Sequence, residues 1–162
     1  MGERTGDPEA QEAKRAAVGL LAHRARPRSY LEGRLQKRGF PQAAIQSALD
    51  ALAGAGYLDD AQYARDRIEG LLSKSLQWGP ALVARLVDDG LDRELAEQAV
   101  AERLAGEDQR QWACEVARER ADQTGREDPN AARNRIGAYL SRRGFDQETV
   151  IAALEEVLPE SQ

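Results

Sequence analysis

The sequence predicts an all-α protein made of three tandem three-helix repeats of helix-turn-helix-like form. Three observations carry that expectation. The first is a pattern of apolar residues around a glycine that occurs three times. It runs Leu31, Leu35, Gly39, Phe40, Ile45, Ala48, Leu49, then Leu82, Leu86, Gly90, Leu91, Ala96, Ala99, Val100, then Ile136, Leu140, Gly144, Phe145, Val150, Ala153, Leu154. The glycines are 51 residues apart (39 to 90) and then 54 (90 to 144), the kind of period that marks stacked repeats. The second is composition: Ala, Leu, Glu, Arg and Gln dominate, and no run alternates apolar with polar residues as a half-buried strand would. The third is size, because a unit of about fifty residues buries too little surface to stand alone. The 162 residues are therefore expected to form neighbouring units that share a core.

Each copy reads as a helix, a glycine stop and a second helix. A glycine at C′ adopts the left-handed conformation at little cost, and the residue after it contacts position C3 of the helix just ended. Those pairs are Phe40 with Leu35, Leu91 with Leu86, and Phe145 with Leu140. The same residue then stands at N′ of the next helix, facing N4: Ile45, Ala96 or Val150. This staple is large in the first and third copies and weaker in the second. Asp92 and Asp146 are good N-caps, while Pro41 occupies the cap position in the first copy.

In chain order, residues 1–12 contain glycine, proline and several acids without an apolar face, and are expected to be a disordered tail. The first repeat, 13–57, opens with a helix carrying Ala17, Leu20 and Leu21 that Pro27 should end. Ser29 and Glu32 have capping-box spacing for its second helix, and the third continues to about Leu52. The second repeat, 58–106, begins at Asp59 as N-cap with Gln62 at N3, and Trp78-Gly79-Pro80 turns the chain into its second helix. Leu20-Leu21 and Leu71-Leu72 keep the 51-residue offset, so the first helices repeat as well. The third repeat, 107–158, carries Trp112, Val116, Ala117 and Arg120. A longer loop then leads to Asp128-Pro129, an N-cap and N1 pair. Residues 159–162 form a C-terminal tail starting at Pro159.

Cys114 is the only cysteine, which leaves no intrachain disulfide and no cysteine-rich metal site and suits a reducing compartment. No apolar run approaches the roughly 18 residues of a membrane span, and the N-terminus has no signal-like segment. The expectation is a soluble, cytoplasmic protein with no membrane contact. The net charge of −5 argues against a nucleic-acid binder that uses its whole surface, yet the charge is uneven. Lys14, Arg15, Arg24, Arg26, Arg28, Arg34, Lys37 and Arg38 face the single acid Glu32 within residues 14–38. Arg133, Arg135, Arg142 and Arg143 form a second basic group. The intervening repeat places Asp88-Asp89 where its sisters have Lys37-Arg38 and Arg142-Arg143.

Catalysis finds little support. His23 is the only histidine and sits among arginines; Cys114 has no neighbouring histidine to activate it and reads as a packing residue. Asp59-Asp60 fits a helix cap and Asp88-Asp89 the solvent side of a helix end, so neither reads as a metal or acid–base pair. The glycines follow helices, not strands, which excludes a phosphate loop. No cofactor and no metal are expected. The basic clusters are the strongest surface signal. Arg28, Arg34, Lys37, Arg38, Arg133, Arg135, Arg142 and Arg143 are the candidates for binding a partner or phosphate. The competing reading of Lys37-Arg38 and Arg142-Arg143 is a favourable position of positive charge at helix C-termini. Tyr30 and Tyr139 are the aromatics near these arginines, too few for base stacking to be the main mode. Trp78 and Trp112 read as packing or turn residues.

The run Leu49-Asp50-Ala51-Leu52-Ala53-Gly54-Ala55-Gly56-Tyr57-Leu58-Asp59-Asp60-Ala61-Gln62-Tyr63-Ala64-Arg65, between Lys37-Arg38-Gly39-Phe40 and Gly79-Pro80, resembles the RecX family of RecA regulators. Tyr139-Leu140-Ser141-Arg142-Arg143-Gly144-Phe145 resembles that family's C-terminal pattern. The resemblance covers nearly everything from Lys14 to Leu158. It implies a non-enzymatic protein of tandem three-helix units, elongated and curved. Such proteins lodge in the groove of the RecA–DNA filament and inhibit recombinase, ATPase and coprotease activities, so modulating recombinational repair and the SOS response. The implied partners are the RecA nucleoprotein filament and, weakly, single- or double-stranded DNA, with a monomer expected. Family members are often basic, whereas this chain is acidic, and the Asp88-Asp89 pair departs from the usual basic position. A direct DNA-binding helical protein and a helical-repeat adaptor for another protein are the alternatives.

Overall fold

The computed structural model describes residues 7–123 and 128–158. Among them are nine helices and no strand: α1 (Pro8–Leu21), α2 (Arg28–Lys37), α3 (Gln42–Gly54), α4 (Asp60–Leu72), α5 (Gly79–Asp88), α6 (Arg93–Leu104), α7 (Gln109–Asp122), α8 (Pro129–Arg142) and α9 (Gln147–Val157). The fold is an all-α helical repeat.

Three local expectations are corrected. Residues 8–12 are helix and not tail, since α1 begins at Pro8: Asp7 accepts the Glu9 N–H at 3.1 Å, and Ala10 is buried. Asp7-Pro8 is the same cap and N1 pair that was legible at Asp128-Pro129, where the Ala131 N–H donates to the carboxylate at 2.9 Å. Residues 1–6 and 159–162 lie outside the described residues. Pro27 does not end α1, which stops at Leu21; it is the buried N-cap residue of α2. The Ser29–Glu32 capping box does not form, because α2 already starts at Arg28. Glu32 instead accepts the side-chain amides of Gln42 and Gln46 at 2.7 and 3.0 Å. The first N–H of α2 is met from another helix: Arg28 N–H donates to Asp60 at 2.9 Å. In the third repeat, residues 124–127 of the long loop lie outside the described residues. Part of the extra length is helix, α8 having 14 residues against 10 in α2 and α5.

The chain packs as two compact units, one of Met1–Asp66 with Leu86–Ala96, the other of Arg67–Arg85 with Glu97–Gln162. The boundaries fall inside α4, α5 and α6, so the sequence period and the packing divide the chain differently. In the first unit α1 and α2 pack on α3. Ala13 and Ala17 of α1, Leu31 and Leu35 of α2, and Ile45, Ala48, Leu49 and Leu52 of α3 close a core with Leu58. The alanines give α1 a smooth face against α3, and the leucines fill the centre. Leu35 is fully buried, and its truncation to Ala falls in the range of roughly 2–5 kcal/mol for a core leucine. In the second unit α7, α8 and α9 enclose Trp112, Ala113, Val116, Ala117, Ile136, Leu140, Phe145, Val150, Ala153 and Leu154.

The three glycine turns have one geometry. Gly39, Gly90 and Gly144 have φ of 85, 103 and 91°. In each, the glycine N–H bonds back to C2 and the next N–H to C3: Gly39 to Gln36 and Phe40 to Leu35, Gly90 to Val87 and Leu91 to Leu86, Gly144 to Ser141 and Phe145 to Leu140. This is the Schellman pattern. A fourth such turn ends α3, with Gly56 bonded to Ala53 and Tyr57 to Leu52.

Two of these turns are also docking points. Within the first unit, Ser29 at the start of α2 donates its hydroxyl to the Gly90 carbonyl at 2.5 Å, and a Cβ on Gly90 would collide with that hydroxyl. Within the second unit, the Trp78 N–H just before α5 donates to the Arg143 carbonyl at 2.7 Å. A Cβ on Gly144 would meet the Trp78 carbonyl at 2.6 Å and the Ala81 nitrogen at 2.9 Å. In both cases the glycine turn of one repeat seats on the N-terminus of the middle helix of the repeat before it. Trp78 completes the second joint, stacking on Phe145 (6.3 Å, 22°) and meeting Trp112 edge to face (5.6 Å, 87°).

Candidate functional site

The eight basic candidates separate once their surroundings are known. Three are held by contacts inside the protein. Arg28 is half-buried and donates to Gln46 and Asp50, both at 2.7 Å, tying the start of α2 to α3. Arg133 donates to the carbonyls of Leu158 at 2.7 Å and Leu154 at 3.4 Å, placing its charge at the C-terminus of α9, where the helix dipole favours a cation. Arg143 donates to the Ser75 hydroxyl, lies 4.8 Å from the centre of the Tyr139 ring, and offers its carbonyl to Trp78.

The other five are exposed. Arg34, Lys37 and Arg38 occupy the last turn of α2 and its cap, and Arg142 the last turn of α8. The side chains of these four make no hydrogen bond or ion pair among the described residues. Each lies at a helix C-terminus, where the exposed carbonyls favour it. Position alone therefore explains their tolerance, and their outward direction makes them available. Arg135, exposed on α8 and engaged in a further contact, lines a cleft of about 200 Å³ with Arg120, Ile136, Tyr139 and Arg142.

Arg120, which the sequence places on the first helix of the third repeat, is absent from the binding candidates that sequence reasoning yields. Its guanidinium lies 3.8 Å from the Tyr139 ring centre and its Nη1 is 3.3 Å from Gln123 Oε1. It comes from α7, the helix before the basic run, and the only signal for it was its place on the apolar-spaced face with Trp112, Val116 and Ala117. With Arg143 it occupies the neighbourhood of the ring at a cation–π distance. Tyr30 is met in the same way by Arg26, at 4.4 Å. Both tyrosines thus already hold an internal cation, which leaves charge and guanidinium hydrogen bonds as the means of binding.

In the second repeat Asp88 is exposed, while Asp89 is half-buried beneath Tyr63, whose hydroxyl is 3.4 Å away. Cys114 is buried in the core of the second unit, where burial first and the Glu156 carboxylate second push its thiol pKa up, so the reactive thiolate is disfavoured. His23 is exposed in the turn after α1. Among the described residues no three histidine, cysteine or acidic side chains gather as metal ligands, and no helix is long and apolar enough to cross a membrane.

The described residues thus form an all-α helical repeat with exposed cations at the C-terminal ends of α2 and α8. Two RecX domains match this chain, the first three-helix domain over residues 13–52 and the third over 107–154. A regulatory protein RecX from Mycobacterium avium is 34% identical over 157 residues, covering 93% of this chain and 90% of that protein. The regulatory protein RecX of Chromohalobacter salexigens is 37% identical over 140 residues, covering 85% of this chain and 88% of its own length. The crystal structure of RecX from Lactobacillus salivarius superposes with a TM-score of 0.79 at 19% identity, covering 92% of this chain and 96% of that one. The chain belongs to the RecX family, whose curated members are named as regulatory proteins.

Proposed function

We propose that this protein is a non-enzymatic, cytoplasmic regulator that binds the RecA nucleoprotein filament. It inhibits RecA recombinase, ATPase and coprotease activities and thereby modulates recombinational repair and the SOS response. The observation that supports this most is a RecX match along nearly the whole chain joined to exposed cations at the ends of α2 and α8. A filament offers repeated protein surface and DNA phosphate, and a monomer built from repeats meets it without a catalytic pocket. Arg34, Lys37, Arg38, Arg135 and Arg142 are the contact residues in this reading. Arg28, Arg133 and Arg143 support the scaffold that presents them.

The test is the single-strand-dependent ATPase of the cognate RecA titrated with this protein, beside a bare-DNA binding control. Inhibition well below one copy per RecA protomer, at concentrations that leave bare DNA unbound, is expected. Joint reversal of Lys37, Arg38 and Arg142 to Glu should abolish it while leaving helicity intact; undiminished inhibition by that variant would remove these residues from the interface. The cleft at Arg120, Arg135 and Arg142 favours a second reading, direct phosphate binding. In that case bare-DNA affinity would be tight and fall steeply with salt, and hydrolysis would be unchanged.

A further inference from the structure

The glycine turn after α2 has the same backbone as the turns after α5 and α8, but nothing is seated on it. Apart from its chain neighbours, no atom comes within 4 Å of where a Cβ on Gly39 would stand, whereas the corresponding positions at Gly90 and Gly144 are in hard contact with the start of α2 and of α5. The acceptors used at the two occupied turns are the Gly90 and Arg143 carbonyls. Their counterparts, the carbonyls of Gly39 and Arg38, accept no backbone hydrogen bond from a described residue. Arg34, Lys37 and Arg38 surround this turn, all exposed.

We infer that the Arg38-Gly39-Phe40 turn is a docking site for the N-terminus of a helix on the partner protein, one with acidic residues in its first turn. Twice in this molecule the same turn receives the N-terminal end of a helix, once through a side-chain hydroxyl and once through a backbone N–H. A helix N-terminus supplies such donors because its first four N–H groups have no partner within the helix. The absence of a Cβ at Gly39 leaves room for that close approach, as it does at Gly90 and Gly144. The flanking cations select the sign of the partner's charge, and acidic side chains are the ones that favour the first turn of a helix. The corresponding turn in the second repeat carries Asp88 and Asp89 and is already engaged by Ser29, so the two turns do not compete for one partner.

This inference rests on the RecA reading, and the test separates the two. Lys37→Cys and Arg38→Cys are made separately in a Cys114→Ala chain, each labelled with a benzophenone and irradiated with RecA filaments on single-stranded DNA. The crosslinked peptide is then mapped by mass spectrometry. The expected product joins the label to the first turn of a RecA helix bearing Asp or Glu, and Lys37→Glu/Arg38→Glu weakens filament binding at least tenfold. Crosslinks to DNA, to the body of a helix, to a strand or to a second copy of this chain overturn the inference, as does full ATPase inhibition without any crosslink. If the unlabelled parent leaves RecA hydrolysis unchanged, the RecA reading itself has failed and this partner assignment falls with it.

Discussion

Gly90 and Gly144 do the same work against different neighbours. Both end a middle helix in a left-handed turn, and both seat on the start of the preceding repeat's middle helix. At Gly144 the neighbour is backbone, the Trp78 carbonyl and the Ala81 nitrogen, fixed by the first turn of α5. At Gly90 the neighbour is the Ser29 hydroxyl, the end of a short side chain. The first joint yields by rotating one torsion, and the second yields only by moving a helix. One backbone device thus gives joints of unequal stiffness according to which atoms lie across from it. Gly39, with the same φ sign and no neighbour, shows the cost of the conformation alone.

Alanine at the three glycines turns this comparison into a series. Gly144→Ala combines left-handed strain with a backbone clash and should cost roughly 2–5 kcal/mol, adding about 1–2 for the conformation to 1–3 for the overpacking; urea unfolding measures it. Gly90→Ala should cost less, about 2 kcal/mol, because Ser29 can rotate away at the loss of one hydrogen bond. Ser29→Ala introduced with it should recover part of that cost, a non-additivity no neighbouring substitution at the Gly144 joint would match. Gly39→Ala should cost about 1–2 kcal/mol, the conformational strain alone. Equal losses at all three positions would mean that the joints do not bear on stability and that only the turn conformation does.

The smallest effect concerns the other contact at the start of α2. Asp60 accepts the Arg28 N–H, and burial, with the Asp59 charge beside it, raises its carboxyl pKa against the lowering by the Arg28 N–H and the Arg28 charge. A carboxyl whose pKa is raised by folding binds protons more tightly in the native state. Its contribution is therefore most favourable below the unfolded pKa of about 4 and is lost as pH rises through the folded value. Asp60→Asn keeps an acceptor without the charge. Its stability relative to the parent should rise across that window and level off above it, whereas Asp60→Ala should lose about 1 kcal/mol of cap at neutral pH. Urea midpoints of the three proteins from pH 3 to 7 decide between them, and a flat difference would remove the linkage.

Much of the fold was legible because it rests on local rules. The Schellman glycines, the caps at Asp59, Asp92, Asp128 and Asp146, and the buried spacing of Ile45, Ala48, Leu49 and Leu52 all act within a few residues. The structure places them accordingly, down to the Thr149 N–H that lowers the Asp146 carboxyl pKa. Asp7-Pro8 carries the same signal, but its surroundings offer only alanines and no large apolar residue to mark a helix face. Ser29 misled for the opposite reason: its spacing to Glu32 fits a local cap, but its hydroxyl is used by Gly90, 61 residues away. Among the basic candidates, sequence could count cations but could not tell an arginine that holds the protein together from one that faces outward.

The sequence by itself determined the helices, most of their ends, the repeat and the family, because periodicity and capping are short-range and each copy repeats the same solution. Only the tertiary structure decided which turns are seated and which are bare. It also decided which arginines are already spent on carbonyls, carboxamides and tyrosine rings, and that Arg120 joins a cleft with residues of another helix. Those outcomes depend on atoms brought together from distant parts of the chain, and residue spacing carries no measure of that distance.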